Sequence, residues 1–119
     1  MKLKARNQRP LLVPDEVVEC YSYGNCMWLA IALHRNLGWP MEAIIDRAEE
    51  YIVHAWAVRP DGARIDILGP SGPGDFIQDS AVIEALSESA LSEITDGVDE
   101  EAVAEAWEVA KRYVLPHWA

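Results

Sequence analysis

Residues 51–68 read YIVHAWAVRPDGARIDIL, and the main features of the sheet can be predicted from this stretch. Two apolar runs, 51–58 and 63–68, flank the turn residues 60–62, which is the pattern of a β-hairpin. A third apolar run, 41–46, precedes them and is separated from them by a short polar turn. The sequence therefore predicts an antiparallel meander of three strands.

The length of the hairpin loop decides which side chains share a face of the sheet. A two-residue loop would leave His54 and Asp66 on opposite faces, whereas a three-residue loop, 60–62, turns them to the same face. The order Pro, Asp, Gly suits a type I turn completed by a left-handed bulge residue, so we expect Arg59 opposite Ala63. The α-carbons of His54 and Asp66 would then lie about 7–8 Å apart. The opposite face would be wholly apolar, with Val53, Ala55, Ala57, Ile65 and Ile67.

Residues 26–37, CMWLAIALHRNL, form the second decisive stretch. They are apolar on nearly every side for the first eight positions, which is typical of a buried helix. Asn25 is a suitable N-cap, and Gly38 followed by Pro40 gives the stop signal. Cys26 therefore lies in the first turn of a central helix, where the helix dipole and the unpaired amides favour a thiolate.

Residues 79–115 carry a helical period and many of the acidic side chains. We predict one amphipathic helix from Ser80 onward and a second from the capping residue Asp99 to the residues before Pro116. Their apolar stripes are Val82, Ile83, Leu86, Ala90 and Ile94, and then Val103, Trp107, Ala110 and Val114. The predicted fold class is α+β: a buried N-terminal helix on a small antiparallel sheet, with two C-terminal helices, in a single domain, 1–119.

The charge and the cysteine content narrow the function classes. A net charge of −10 over 119 residues repels nucleic acid and anionic lipid, so neither is an expected partner. The acidic residues form either a solvated helical face or a surface that docks on a basic protein or mimics DNA. The sequence shows no signal peptide or membrane span, and two cysteines do not make a disulfide scaffold. We expect a cytoplasmic protein with reduced thiols and no cofactor.

Cys26, His54 and Asp66 together have the composition of an activated nucleophile. A His held by an acid beside a Cys can exchange the proton of the thiol, and the Cys26 amide, together with the Asn25 side chain, could bind an oxyanion. Trp56 neighbours both His54 and Asp66 in the expected register and could shield the pair from water. Each residue alone also has an ordinary structural role, since a free Cys is often a buried core residue.

A metal site is the other arrangement that these side chains suggest. Cys26, His34 and His54 include suitable ligand types, but the close spacings that are usual for zinc ligands are absent from the sequence. No metal is therefore predicted. His34 is expected to make a local hydrogen bond at the end of the helix.

The chain order of a Cys at a helix start, a His on one strand and an Asp on the next resembles the papain-like and transglutaminase-like cysteine enzymes, most closely the transglutaminase-like core. The segments that carry the resemblance are 24–34, 38–40, 54–56 and 61–66. The pattern C-x-x-L-A-x-A-L-H is also similar to short bacterial and phage-borne proteins. The resemblance covers residues 20–69, a catalytic-like core without the C-terminal helices.

The resemblance implies a thiol-dependent hydrolase or acyltransferase that acts on an amide or peptide bond of a protein or peptide substrate. Cys26, His54 and Asp66 would be its catalytic triad. Papain-like enzymes place a Gln before the Cys, which this chain lacks, whereas transglutaminase-like proteins often use an upstream aromatic, a role that Tyr21 or Tyr23 would fill. The alternative is a non-catalytic acidic binding or inhibitor protein of phage or plasmid origin that keeps the fold and occludes a host protein.

Overall fold

The computed structural model describes residues 13–22, 25–70 and 81–118, and its fold is α+β as the sequence predicts. The helices are α1 (Asp15–Ser22), α2 (Cys26–Leu37), α3 (Glu88–Thr95), α4 (Glu100–Val109) and α5 (Leu115–Trp118), with a π-helical turn, Ala110–Val114, between the last two. The strands are β1 (Met41–Asp46), β2 (Tyr51–Val58), β3 (Arg64–Asp66), β4 (Gly69–Pro70) and β5 (Ala81–Leu86).

The strands form one antiparallel sheet in the order β4-β3-β2-β1-β5. The predicted meander β1-β2-β3 is its centre, β4 extends it on one side, and β5 returns to pair with β1 on the other. A β-bulge interrupts the pairing of β1 with β2 between Ile44 and Ile45. Both strands that carry the predicted His and Asp therefore lie next to each other inside the sheet.

The β2–β3 hairpin has the predicted three-residue loop. The Arg59 amide donates to the Ala63 carbonyl at 2.8 Å, and the Gly62 amide donates to the Arg59 carbonyl at 2.8 Å. Further along the hairpin, Ala57 lies opposite Ile65. Gly62 has a φ of 93°, the left-handed conformation that a side chain would disfavour and that closes the bulge. The register prediction is confirmed, and His54 and Asp66 share a face.

α2 is the central helix and has the predicted bounds. It ends at Gly38, which has a φ of 75° and whose amide donates to the His34 carbonyl at 2.9 Å. The helix packs mainly against β2 and α4, so its first turn lies beside the sheet. Its buried residues join those of the sheet and of α4 in one apolar core: Cys26, Leu29, Ala30, Ile31, Ala32 and Leu33.

The first predicted C-terminal helix is wrong over Ala81–Leu86, which is strand β5 and pairs along its whole length with β1. Helix α3 begins only at Glu88, where the Ser87 side chain caps it. Val82 and Ile83 are exposed on the edge strand instead of lying in a helical stripe. Adjacent β-branched residues favour an extended backbone, and the ladder with β1 satisfies that backbone.

The second predicted C-terminal helix is confirmed at its start, but its predicted end before Pro116 is wrong: after the π-helical turn, α5 (Leu115–Trp118) includes this proline, which the first turn of a helix tolerates. Asp99 caps α4 by accepting a hydrogen bond from the Ala102 amide at 3.0 Å, and Val103, Ala110 and Val114 are buried along one side. The Arg35 side chain on α2 forms ion pairs with a glutamate of α3 and with a glutamate of α4, which links both helices to α2. Among the described residues, no helix combines the length and the apolar character needed to cross a membrane.

Candidate active site

The β2–β3 hairpin brings His54 and Asp66 into direct contact. His54 Nε2 lies 2.9 Å from Asp66 Oδ2, and the two residues are only 2% and 5% exposed. The second carboxylate oxygen, Oδ1, accepts a hydrogen bond from the Leu68 amide at 2.8 Å. Asp66 is thus fixed by its own end of the hairpin and presents its other oxygen to the imidazole.

Cys26 completes the cluster from the first turn of α2. The residue is not in a disulfide and is 3% exposed. Its side chain interacts with the His54 imidazole and raises the pKa of that ring. The structure therefore brings together the three residues that the sequence singled out as a triad.

The surroundings of His54 hold it in its protonated form. Burial is the largest influence on its pKa and lowers it, because a charged ring loses solvation. The hydrogen bond with Asp66 and the interaction with Cys26, and then the negative charges of these groups, act in the opposite direction and prevail, raising the pKa from 6.5 to about 9. At neutral pH, His54 is an imidazolium between a carboxylate and a sulfur atom.

Trp56 lies beside His54 on the same face of β2, as expected from the register. The two ring centroids are 5.9 Å apart and the rings are tilted by 47°. The indole N–H donates to Glu42 Oε1 at 3.0 Å. Trp56 therefore contributes a buried wall next to the His54–Asp66 pair, while its hydrogen-bond donor is used by β1 and is not directed at Cys26.

Asn25 does not cap α2 with its side chain, so that part of the sequence prediction is wrong. Its φ of −115° and ψ of 12° lie outside the extended region typical of an N-cap whose side chain reaches the next amides. The Asn25 amide group donates instead to the Cys20 sulfur at 3.0 Å and to the Cys20 carbonyl at 3.4 Å.

The structure describes one of the two tyrosines that were expected near the nucleophile. Tyr21 is buried in α1 as part of the apolar core. Burial raises the pKa of its hydroxyl, and the nearby charges of Cys20 and Glu105 raise it further. These two charges come from α1 and α4. Tyr23 lies outside the described residues.

His34 makes the local hydrogen bond that the sequence suggested, since its Nδ1 donates to the Trp39 carbonyl at 2.8 Å. Within the part of the chain that the structure describes, no group of three or more His, Cys, Asp or Glu side chains is arranged to hold a metal ion. The sequence did not predict the roles of Glu42 and Arg64, whose side chains contact Trp56. The available signal was a single acidic residue in the otherwise apolar run at 41–45.

Comparisons with protein-family models, with curated proteins and with solved structures found no match to this chain. The site is a buried Cys-His-Asp cluster. The start of a helix supplies the thiol, and two neighbouring strands supply the imidazole and the carboxylate.

Proposed function

We propose that the protein is a thiol-dependent hydrolase or acyltransferase that acts on an amide or peptide bond of a protein or peptide substrate. The observation that supports this most strongly is that His54 hydrogen-bonds to Asp66 and interacts with the Cys26 side chain in a buried setting. A His between an acid and a thiol is the general arrangement of an activated cysteine nucleophile. The proposal includes membership of the papain-like and transglutaminase-like enzymes, whose chain order of Cys, His and Asp this sequence shares.

The proposed reaction begins when the Cys26 thiolate attacks the carbonyl carbon of the scissile amide. The His54 imidazolium donates its proton to the leaving nitrogen as the carbon–nitrogen bond breaks, which leaves a thioester on Cys26. Neutral His54 then takes a proton from water or from an acceptor amine that attacks the thioester. The acid or the new amide leaves, and the thiolate and the imidazolium are restored. Asp66 orients His54 throughout and stabilises its positive charge.

The start of α2 offers a binding place for the oxyanion of this reaction. The amides of the first turn of an α-helix lie at the positive end of its dipole. In α2 the Trp28 amide already donates to the Asn25 carbonyl at 3.1 Å, so the amides of Cys26 and Met27 are the ones proposed for this role. Cys26 is the first residue of α2, so the carbonyl oxygen of a substrate attacked at its sulfur would lie close to these amides. Preorganised donors of this kind stabilise the charge that develops on the oxygen.

The catalytic proposal also sets two conditions on the protein. Cys26 is only 3% exposed, so the groups that cover it must move aside when a substrate binds. The nucleophile must also stay reduced, and neither Cys20 nor Cys26 forms a disulfide. We therefore propose the cytoplasm, a reducing compartment, as the site of action.

The test uses the fact that the chain has only two cysteines. Cys20→Ser leaves Cys26 as the single thiol, and Cys26→Ser leaves Cys20. We expect iodoacetamide to alkylate the first variant faster by about tenfold or more near pH 6.5, where an ordinary thiol is about 1% ionised. Adding His54→Ala to Cys20→Ser should remove this advantage. Accessibility alone predicts the opposite order, because Cys20 is exposed and Cys26 is buried.

Equal and slow alkylation of the two thiols between about pH 6 and pH 9 would contradict the activated nucleophile. Faster alkylation of Cys26 that survives His54→Ala would also contradict it, because the reactivity would then not depend on the imidazole. An intact fold in each variant can be checked by its urea unfolding curve.

A second candidate function is a non-catalytic acidic protein, of phage or plasmid origin, that binds and occludes a host protein. The burial of the triad favours it, as do the exposed carboxylates of α4, which include Glu101, Glu105 and Glu108. A basic partner would complement this surface. Cys26→Ala separates the candidates: an unchanged cellular effect and an unchanged set of bound partners would favour binding over catalysis.

A further inference from the structure

A second group of polar side chains lies next to the triad, on strands β1, β2 and β3. Glu42 Oε1 of β1 accepts one hydrogen bond from the Trp56 indole N–H and another from Arg64 Nε, each at 3.0 Å. The Arg64 guanidinium also lies 5.5 Å from the centre of the Trp56 ring, in cation–π contact. The edge of the indole is thus held by Glu42 and its face by Arg64. We refer to these three residues as the indole clamp.

The indole clamp and the triad are linked through the alternation of the strands. Trp56 and His54 are two residues apart on β2, and Arg64 and Asp66 are two residues apart on β3, so each pair shares a face. Glu42 lies directly opposite Trp56 in the pairing of β1 with β2. Trp56 is 2% exposed and is in ring contact with His54. A rotation of the indole would therefore remove one wall of the cavity that holds the imidazole.

We propose that Glu42 is a positioning residue for His54, because its hydrogen bond fixes the Trp56 indole as the wall that keeps water from the His54–Asp66 bond. Its negative charge is neutralised by Arg64 at 3.0 Å, so the effect on His54 passes through the indole. As a statement about turnover the inference rests on the proposed function, but the state of His54 can be measured without any substrate.

The test compares Glu42→Ala with the conservative Glu42→Gln. Alanine removes both the charge and the acceptor of the indole N–H, whereas glutamine keeps an oxygen acceptor. We expect Glu42→Ala to speed the exchange of the His54 Nε2 proton with water by about tenfold, the factor that corresponds to one ordinary hydrogen bond, as measured by nuclear magnetic resonance. Glu42→Gln should restore nearly the wild-type rate. The titratable groups that face His54 are Asp66 and Cys26 in every variant.

Glu84→Ala is the matched control. Glu84 is a glutamate on the neighbouring strand β5, and it forms an ion pair with Arg47. Its removal should leave the exchange of the His54 proton unchanged. If Glu42→Ala fails to fold, Trp56→Phe provides the same information, because it keeps an aromatic ring and lacks the N–H that Glu42 binds.

Wild-type exchange in Glu42→Ala, or in Trp56→Phe where the first variant does not fold, overturns the proposal. It is also overturned if Glu42→Gln behaves like Glu42→Ala, since the charge and not the hydrogen bond would then matter. An unreactive Cys26 combined with a tenfold effect of Glu42→Ala would contradict the catalytic proposal and support the positioning of His54. The two failures are therefore distinguishable.

Discussion

Two aspartates five residues apart on the β2–β3 hairpin make similar contacts in opposite surroundings. At the turn, Asp61 Oδ2 lies 2.7 Å from Arg59 Nη2, and the Asp61 side chain is 59% exposed. At the far end, Asp66 Oδ2 lies 2.9 Å from His54 Nε2, and the Asp66 side chain is 7% exposed. The distances are nearly equal, so the surroundings account for the difference between the two pairs.

Solvent exposure decides what each pair can do. The Arg59 hydrogen bond, followed by a hydrogen bond from the Ala63 amide, lowers the pKa of Asp61 from 3.8 to about 2, so neither partner titrates near neutral pH. Because His54 and Asp66 are buried, each of their charges needs the other for stabilisation. Either charge alone in this setting would cost free energy. Its imidazole titrates within the range where enzymes work. The exposed pair stabilises a turn, and the buried pair controls a proton.

The largest difference between the two pairs is expected when each aspartate is neutralised in turn. Asp66→Asn keeps the shape and an acceptor for the Leu68 amide but leaves His54 without its counter-charge. We expect it to lower the free energy of unfolding by about 3 kcal/mol at pH 7, the typical cost of removing one partner of a buried ion pair. Asp61→Asn should change it only slightly. Urea unfolding of both variants measures the difference.

A double-mutant cycle identifies the origin of the Asp66→Asn effect. When His54 is already replaced by Gln, Asp66→Asn should cost much less, because the charge that it compensates is gone. Equal costs in the two backgrounds would mean that Asp66 stabilises the hairpin through the Leu68 amide alone.

The two pairs are also expected to affect stability in different ranges of pH. The pKa of His54 is raised in the folded protein from 6.5 to about 9, so its stabilisation is complete below about pH 6.5 and is lost as the pH rises through about 9. We expect the free energy of unfolding to fall across this interval by up to about 3 kcal/mol more in the wild type than in His54→Gln. The lowered pKa of Asp61 contributes stability that is present above about pH 4 and is lost only as the pH falls below that value. Identical alkaline profiles of the two proteins would contradict the raised pKa.

The hairpin and α2 could be predicted from sequence because their signals are local. The odd loop length, together with a glycine where φ is positive, fixes the register of His54 and Asp66 within 18 consecutive residues. Gly38 ends α2 by the same conformational freedom. The relation between Cys26 and the hairpin could be anticipated only through the order of the three residues along the chain.

Non-local contacts account for what the sequence did not reveal. Strand β5 depends on β1, which lies about 40 residues earlier in the chain, so its own amphipathic pattern was compatible with a helix. The link from Glu42 to Trp56 requires the register of β1 on β2, which includes a bulge that loop length does not predict. Asn25 does not cap α2 with its side chain, because its φ of −115° and ψ of 12° are not the extended values of a capping residue.

The smallest expected effect is the salt dependence of the two aspartate variants. At about 1 M salt the Debye length is about 3 Å, so the attraction between Asp61 and Arg59 is screened whereas the buried pair is largely protected. The small difference in unfolding free energy between the wild type and Asp61→Asn should disappear, and that of Asp66→Asn should persist. Asp61 is the better residue to change, because Arg59 also donates to the Trp118 carbonyl at 3.1 Å. A salt-sensitive Asp66→Asn difference would mean that water reaches the His54–Asp66 bond.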